Sequence, residues 1–221
     1  MLLAEELERL TQALRAKAPE HALRVIAAGI EELRASGLES RALRAGDRLP
    51  DFALPDAAGR LRHLGEYLEQ GPLVLAFFRG AWCPYCTIQL QALAAVDAQV
   101  RALGANLVAI SPQTVACTAQ AAAQLALPFP LLCDTANDTA RACGLVFRLP
   151  EAMRASYRDD FAIDLSCYNG DRRDELPMPA TYIADREGVI RHAFIDVDYA
   201  RRMEPADILA ALRGITGAAR G

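Results

Sequence analysis

Two cysteines three positions apart, Cys83 and Cys86, carry the most reactive chemistry this chain has to offer. They close the stretch Phe77-Phe78-Arg79-Gly80-Ala81-Trp82-Cys83-Pro84-Tyr85-Cys86. A thiol at a helix N-terminus faces unpaired backbone N–H groups and the positive end of the helix dipole, which lower its pKa from about 8.5 to as little as roughly 3.5–7.5. The thiolate is the form that attacks. A Cys-x-x-Cys pair is either redox-active or half of a zinc site. Zinc would call for a second close pair, yet Cys133 and Cys143 have nine residues between them and His192 stands alone, so no metal and no cofactor is expected. Arg79 either places positive charge beside the thiolate or is a solvated turn arginine. Trp82 is a lid over the pair, and Pro84 and Tyr85 separate the sulfurs, Tyr85 as a shape residue rather than a proton donor.

The pair needs a strand to bring it in and a helix to carry it. Leu73 to Phe78 is apolar throughout, as a buried central strand would be, and the helix after the cysteines runs to about Leu103 with Gly104 closing it. Asn106 to Ser111 reads as a second buried strand, Thr114 to Leu125 as a helix, Pro128 to Leu132 as a short strand, and Asp134 as the cap of a helix ending near Ala142. This alternation implies parallel pairing with crossovers. Thr181 to Asp185 and Val189 to Phe194 flank Arg186-Glu187-Gly188 as a β-hairpin, and a last helix runs from Pro205 to Gly214. Leu61 to Glu69 is expected as a short helix, and 148–175 as irregular with a helix from Pro150 to Tyr157.

Ahead of these elements, Leu3, Leu7, Leu10 and Leu14 make one helical stripe, and Leu23, Ile26, Ile30 and Leu33 another, with Pro19 between them. This predicts an N-terminal helical hairpin over 1–43 and one catalytic domain over 44–221. The stripe packs on its own domain or pairs two subunits as a homodimer. A chain of 221 residues, 52% hydrophobic, is long enough for one good core. Its formal charge of −4 argues against a nucleic-acid surface, which needs a basic patch. No stretch reaches the roughly 18 apolar residues of a membrane span, and Glu5 and Glu6 stand where a signal peptide carries positive charge, so a cytoplasmic location is expected. In that compartment the six cysteines are not expected to build a disulfide framework.

A strand ending in aromatics, then Trp-Cys-x-x-Cys, then a helix resembles the thioredoxin superfamily. Gly46-x-x-Leu49-Pro50-Asp51-Phe52-x-Leu54-x-Asp56-x-x-Gly59, Ile110-Ser111, Leu127-Pro128-Phe129-Pro130-Leu131-Leu132-x-Asp134 and Ala140-Arg141-x-x-Gly144 narrow the resemblance to the alkyl hydroperoxide reductase/thiol-specific antioxidant family, the peroxiredoxins. It covers about Gly46 to Leu212. The resemblance implies an α/β thioredoxin-like fold, a central mixed sheet flanked by helices. It also implies a thiol peroxidase with Cys86 in the peroxidatic place, a hydroperoxide substrate, and a thioredoxin- or glutaredoxin-like reductant.

Three positions depart from the family pattern. Cys83 stands where the family has Thr or Ser, Arg79 where it has Pro, and the arginine usual before the later core strand is missing from Leu176-Pro177-Met178-Pro179-Ala180-Thr181. Met178-Pro179 resembles instead the cis-proline that packs beside the thioredoxin disulfide. On the peroxidase reading Cys86 attacks the peroxide and Cys83 resolves the sulfenic acid; on the alternative, a thiol–disulfide oxidoreductase, Cys83 is the nucleophile and Cys86 resolves. A redox-sensing binding module built on the N-terminal hairpin is the third reading.

Overall fold

The computed structural model describes residues 2–218. The chain opens with α1 (Leu3–Arg15), α2 (Glu20–Ala35) and the short α3 (Leu38–Arg41). Two small strands follow, β1 (Ala53–Pro55) and β2 (Leu61–His63), and then α4 (Leu64–Gln70). The helix expected over Leu61 to Glu69 thus begins three residues late. The Asp56 carboxylate accepts from the amides of Ala58 at 2.9 Å and Arg60 at 3.0 Å, which fixes a turn that pairs Leu61 with Pro55 in extended form.

Next come β3 (Leu73–Phe77), α5 (Pro84–Ala102), β4 (Asn106–Ser111), α6 (Val115–Leu125), β5 (Leu131–Cys133) and α7 (Asp138–Ala142). The chain closes with β6 (Val146–Arg148), α8 (Glu151–Phe161), α9 (Leu165–Asn169), β7 (Glu175–Pro177), β8 (Ala180–Ala184), β9 (Ile190–Ile195) and α10 (Pro205–Ala218). The main sheet has the order β5-β4-β3-β8-β9, with β3, β4 and β5 parallel and β8 and β9 antiparallel to their neighbours. It is the mixed sheet flanked by helices of the thioredoxin-like fold. β3 lies at its centre because it is apolar on both faces. Val74, Ala76 and Phe78 join one core layer with Leu90, Leu93 and Val100 of α5 and Ile208 and Leu212 of α10, whereas Leu73, Leu75 and Phe77 join the opposite layer with Leu64, Tyr67 and Ala140. No helix among the described residues is long and apolar enough to cross a membrane.

The N-terminal stripes are spent within the chain. α1 packs chiefly on α5, with Leu3 and Leu7 buried in that core layer, and α2 packs chiefly on α8. The two helices therefore splay to different supports rather than closing principally on each other as a hairpin. Gly29 favours the second contact: a Cβ there would stand 2.8 Å from the Met153 sulfur, so any larger residue would make the Met153 side chain give way. The region 148–175 is also more ordered than its polarity implies, with α8 running past Tyr157 to Phe161 and α9 following it. α10 continues through Gly214 to Ala218.

Met178-Pro179 corrects an expectation. The described peptide bonds are all trans, and the segment stays extended from β7 into β8. Its neighbours hold it so: the Met178 amide donates to the Leu145 carbonyl at 2.9 Å, Pro177 pairs with Val146, and Ala180 pairs with Phe77. Met178 is buried in the core layer of Phe77 and Leu145, whereas Cys83 and Cys86 lie in the other layer, and Pro179 is buried beside it.

Candidate active site

Cys83 is the N-cap of α5, and Pro84 is its first residue, where a missing N–H costs nothing. The amides of Cys86 and Thr87 donate to the Cys83 carbonyl at 3.0 and 3.2 Å, so the first turn closes beneath the two sulfurs. Gly80 makes the approach possible. Its φ of +149° lies outside the ordinary range of side-chain-bearing residues, and a Cβ there would run into the Trp82 indole nitrogen. The Ala81 amide is held by the Gln113 side chain at 2.8 Å.

Arg79 is not a solvated turn arginine. It is 2% exposed, with Nη1 donating to Cys83 Sγ at 3.8 Å and Nη2 donating to the Tyr157 hydroxyl. Its guanidinium carbon lies 4.2 Å from the ring centre of Tyr199, 5.0 Å from Trp82 and 5.4 Å from Tyr157, an aromatic cage in which each desolvated cation–π contact contributes up to about 2 kcal/mol. Trp82 meets Tyr157 edge-on at 6.0 Å and lies tilted on Tyr168 at 6.1 Å. The Tyr85 hydroxyl pairs with Thr11 at 3.1 Å and its ring meets Tyr199 at 5.4 Å.

The second cation is Arg202, which the sequence reading passed over. It follows β9 in a loop, is 7% exposed, and donates from Nη2 to Cys86 Sγ at 3.4 Å. Its Nε donates to Gln89 Oε1 at 2.8 Å and its Nη1 to the Tyr199 carbonyl. Gln89 stands three residues after Cys86 on α5, so the helix that carries the sulfur also orients the arginine. Tyr157, Tyr199, Gln89 and Gln113 were missed likewise. The available signal was compositional: a polar glutamine on a helix face otherwise apolar, and two tyrosines and an arginine in segments without periodicity.

These contacts divide the sulfurs electrostatically. Burial pushes both thiols up. For Cys86 this is outweighed by the hydrogen bond from the Cys83 thiol and by the charges of Arg202 and Arg79, and its pKa falls well below the usual thiol range. Cys83 moves the other way, driven by burial and then by its hydrogen bond and charge relation with Cys86. Despite burial, which by itself disfavours its charged form, the Arg79 guanidinium stays charged, held so by Tyr157 and the two sulfurs. Both shifts favour a negative charge on Cys86 over one on Cys83, with Arg79 and Arg202 as the buried cations beside the pair. Arg79 Nε and Trp82 Nε1 have no acceptor among the described residues, which leaves two buried donors at the site.

Comparison with known proteins identifies the family. The AhpC/TSA family model matches residues 45–193, leaving α1–α3 outside it. A Mycobacterium tuberculosis protein provisionally named a peroxiredoxin is 34% identical over 125 residues, 55% of this chain and 79% of that one. The chloroplastic peroxiredoxin Q of Triticum aestivum is 24% identical over 178 residues, 80% of this chain and 71% of that one. Among solved structures, the peroxidoxin BcpB of Mycobacterium tuberculosis superposes with a TM-score of 0.62 at 24% identity, covering 78% of this chain and 98% of that one. A mutant of the peroxiredoxin 6 of Arenicola marina gives a TM-score of 0.64 at 16% identity over 80% of this chain and 76% of that one, a likeness of fold. With its family model covering most of the sheet and the helix start that carries the two cysteines, the chain belongs to the AhpC/TSA family, as a peroxiredoxin-like thiol peroxidase.

Proposed function

We propose that Cys86 is the sulfur that attacks the hydroperoxide and that Cys83 resolves it. Cys86 thiolate takes the distal peroxide oxygen, the O–O bond breaks, and an alcohol or water leaves with one proton, giving Cys86 sulfenic acid. The Cys83 thiol then condenses with it, releasing water and forming a Cys83–Cys86 disulfide. Arg202 at 3.4 Å from Cys86 Sγ is the observation that carries this reading, because it holds the charge on that sulfur. Arg79, with no carboxylate partner among the described residues and an unpaired Nε, stabilises the departing oxyanion. Arg202 thereby takes up the duty of the arginine absent ahead of β8.

Two electrons from an external dithiol of the thioredoxin or glutaredoxin kind complete the cycle. A reducing compartment such as the cytoplasm supplies it. The disulfide oxidoreductase reading assigns the attack to Cys83, which is 2% exposed against 0% for Cys86 and lies at the helix N-cap.

Intact-mass analysis after one equivalent of hydrogen peroxide separates the two. Cys83→Ser is expected to trap a sulfenic acid on Cys86, and Cys86→Ser to remain reduced. A sulfenic acid on Cys83 in Cys86→Ser, formed as fast as wild type consumes peroxide, would reverse the roles. Disulfide reduction by wild type without peroxide consumption above a free-thiol control would favour the oxidoreductase reading.

A further inference from the structure

Of the six cysteines only Cys117 and Cys167 are not buried, and they are neighbours in space although fifty residues apart in sequence. Cys117 lies in the first turn of α6 and its thiol donates to the Cys167 backbone carbonyl at 3.7 Å. A carbonyl oxygen lies about 2.4 Å from its own Cα, so the Cys117 sulfur is at most about 6 Å from the Cys167 Cα. The Cβ and Sγ of Cys167 lie between that Cα and the Cys117 sulfur, so an S–S bond of about 2.05 Å closes once the two segments approach by an ångström or two. In the reduced state the Cys167 thiol instead leans on the Asp164 carboxylate, a partner it must leave to reach α6. The two helices already touch here: the Thr114 amide donates to the Tyr168 carbonyl at 2.9 Å, and Gly170 packs against the Thr114 methyl.

The segment that Cys167 rides on covers the active site. α9 lays Tyr168 on Trp82, and α8 supplies the Tyr157 that holds Arg79. Cys83 and Cys86 are almost wholly buried, so a change in how this cover sits changes their access to peroxide and reductant. It is not tightly packed. A cavity of about 220 Å³ lies between α8 and α9, lined by Tyr157, Ile163, Leu165, Arg154 and Asp174.

We propose that Cys117 and Cys167 form a second disulfide that ties α9 to α6 and holds the aromatic cover down over the Cys83–Cys86 pair. The oxidant is the hydroperoxide that the enzyme already handles. The exposed Cys167 sulfur takes one peroxide oxygen while the O–O bond breaks, and the departing oxygen leaves as alcohol or water with the proton given up by the thiol. The Cys117 thiol displaces water from the resulting sulfenic acid, forming the S–S bond. The link closes only when peroxide exceeds what the buried pair consumes, and it throttles the site until a dithiol reopens it. It holds whichever sulfur of the buried pair attacks first.

Mapping of the full chain without reduction tests it. Trypsin releases Cys117 in residues 102–141 and Cys167 in 159–172, while Cys83 and Cys86 share 80–101. After excess hydrogen peroxide, wild type is expected to lose about 4 Da, two hydrogens per disulfide, and to show 102–141 joined to 159–172. Cys117→Ser and Cys167→Ser, both at surface positions, are expected to lose about 2 Da and show no joined peptide. In the linked form, dithiothreitol should reduce Cys83–Cys86 several-fold more slowly than in oxidised Cys167→Ser, and the emission of Trp82, the only tryptophan, should shift. Free, alkylatable Cys117 and Cys167 after excess peroxide would overturn the proposal. So would a joined peptide that survives in Cys117→Ser, which would place the bond on Cys133, or one found only in covalent dimers. Linkage with unchanged reduction rate and Trp82 emission would overturn the role given to the cover.

Discussion

Single residues decide the chemistry through charge. Cys86 owes its low pKa to the Cys83 thiol and to Arg202 and Arg79, against the cost of burial. Arg202→Met removes a cation while keeping the bulk, and the Cys86 pKa must rise, since only the thiolate form loses a favourable partner. Below the pKa, each unit of rise is a tenfold loss of thiolate. Stopped-flow peroxide consumption by Arg202→Met is therefore expected to fall about tenfold or more at pH 6–7 and to approach wild type in alkaline solution. A flat ratio across pH would show that Arg202 acts by position alone. Gly80 decides the backbone: Gly80→Ala sets a methyl against Trp82 at a φ that alanine avoids, and is expected to cost about 1–3 kcal/mol in urea unfolding followed by Trp82 emission.

Elements decide which residues meet. The loop after β9 carries Tyr199 over Arg79, Arg202 to Cys86, and Glu204, whose carboxylate accepts from the first amides of α1, Leu3 at 3.0 Å and Ala4 at 2.7 Å. A carboxylate at a helix N-terminus satisfies orphan donors and the dipole together. α1 thereby clamps the loop that delivers the second cation. Glu204→Ala should lower the peroxide rate several-fold in the same acid-weighted manner as Arg202→Met, because it loosens the support of that arginine. Leu7→Ala, which opens a cavity between α1 and α5, should cost about 2–4 kcal/mol of stability. Equal peroxide rates in Glu204→Ala and wild type at pH 6 would remove α1 from the mechanism.

At the scale of the molecule, Leu3 and Leu7 are buried within one chain, and what remains open on that helix is Leu14 at 37% and Leu2 at 55% exposure. This leaves little of the stripe to join two subunits. Light scattering at micromolar concentration is expected to give the 23.9 kDa of one chain, and a mass near twice that would restore the homodimer. Much of the architecture was legible beforehand. The apolar runs of β3 and β4, the Arg186-Glu187-Gly188 hairpin turn and the Cys-x-x-Cys at a strand-to-helix junction are local patterns, and local patterns survive folding. Met178-Pro179 misled because a dipeptide cannot report its own isomer: trans is the ordinary X–Pro geometry, and the segment's pairing with Leu145, Val146 and Phe77 keeps it extended.

The sequence by itself determined that two thiols share the first turn of a helix fed by a central strand, since spacing and periodicity specify both. Only the tertiary structure decided which thiol the surrounding cations favour as the anion. That depends on Arg202, 116 residues beyond Cys86, and on Tyr157 and Tyr199, brought in by loops and helices whose packing leaves no periodic trace. Electrostatics inside a buried site is set by distance in space, and sequence separation carries no information about it.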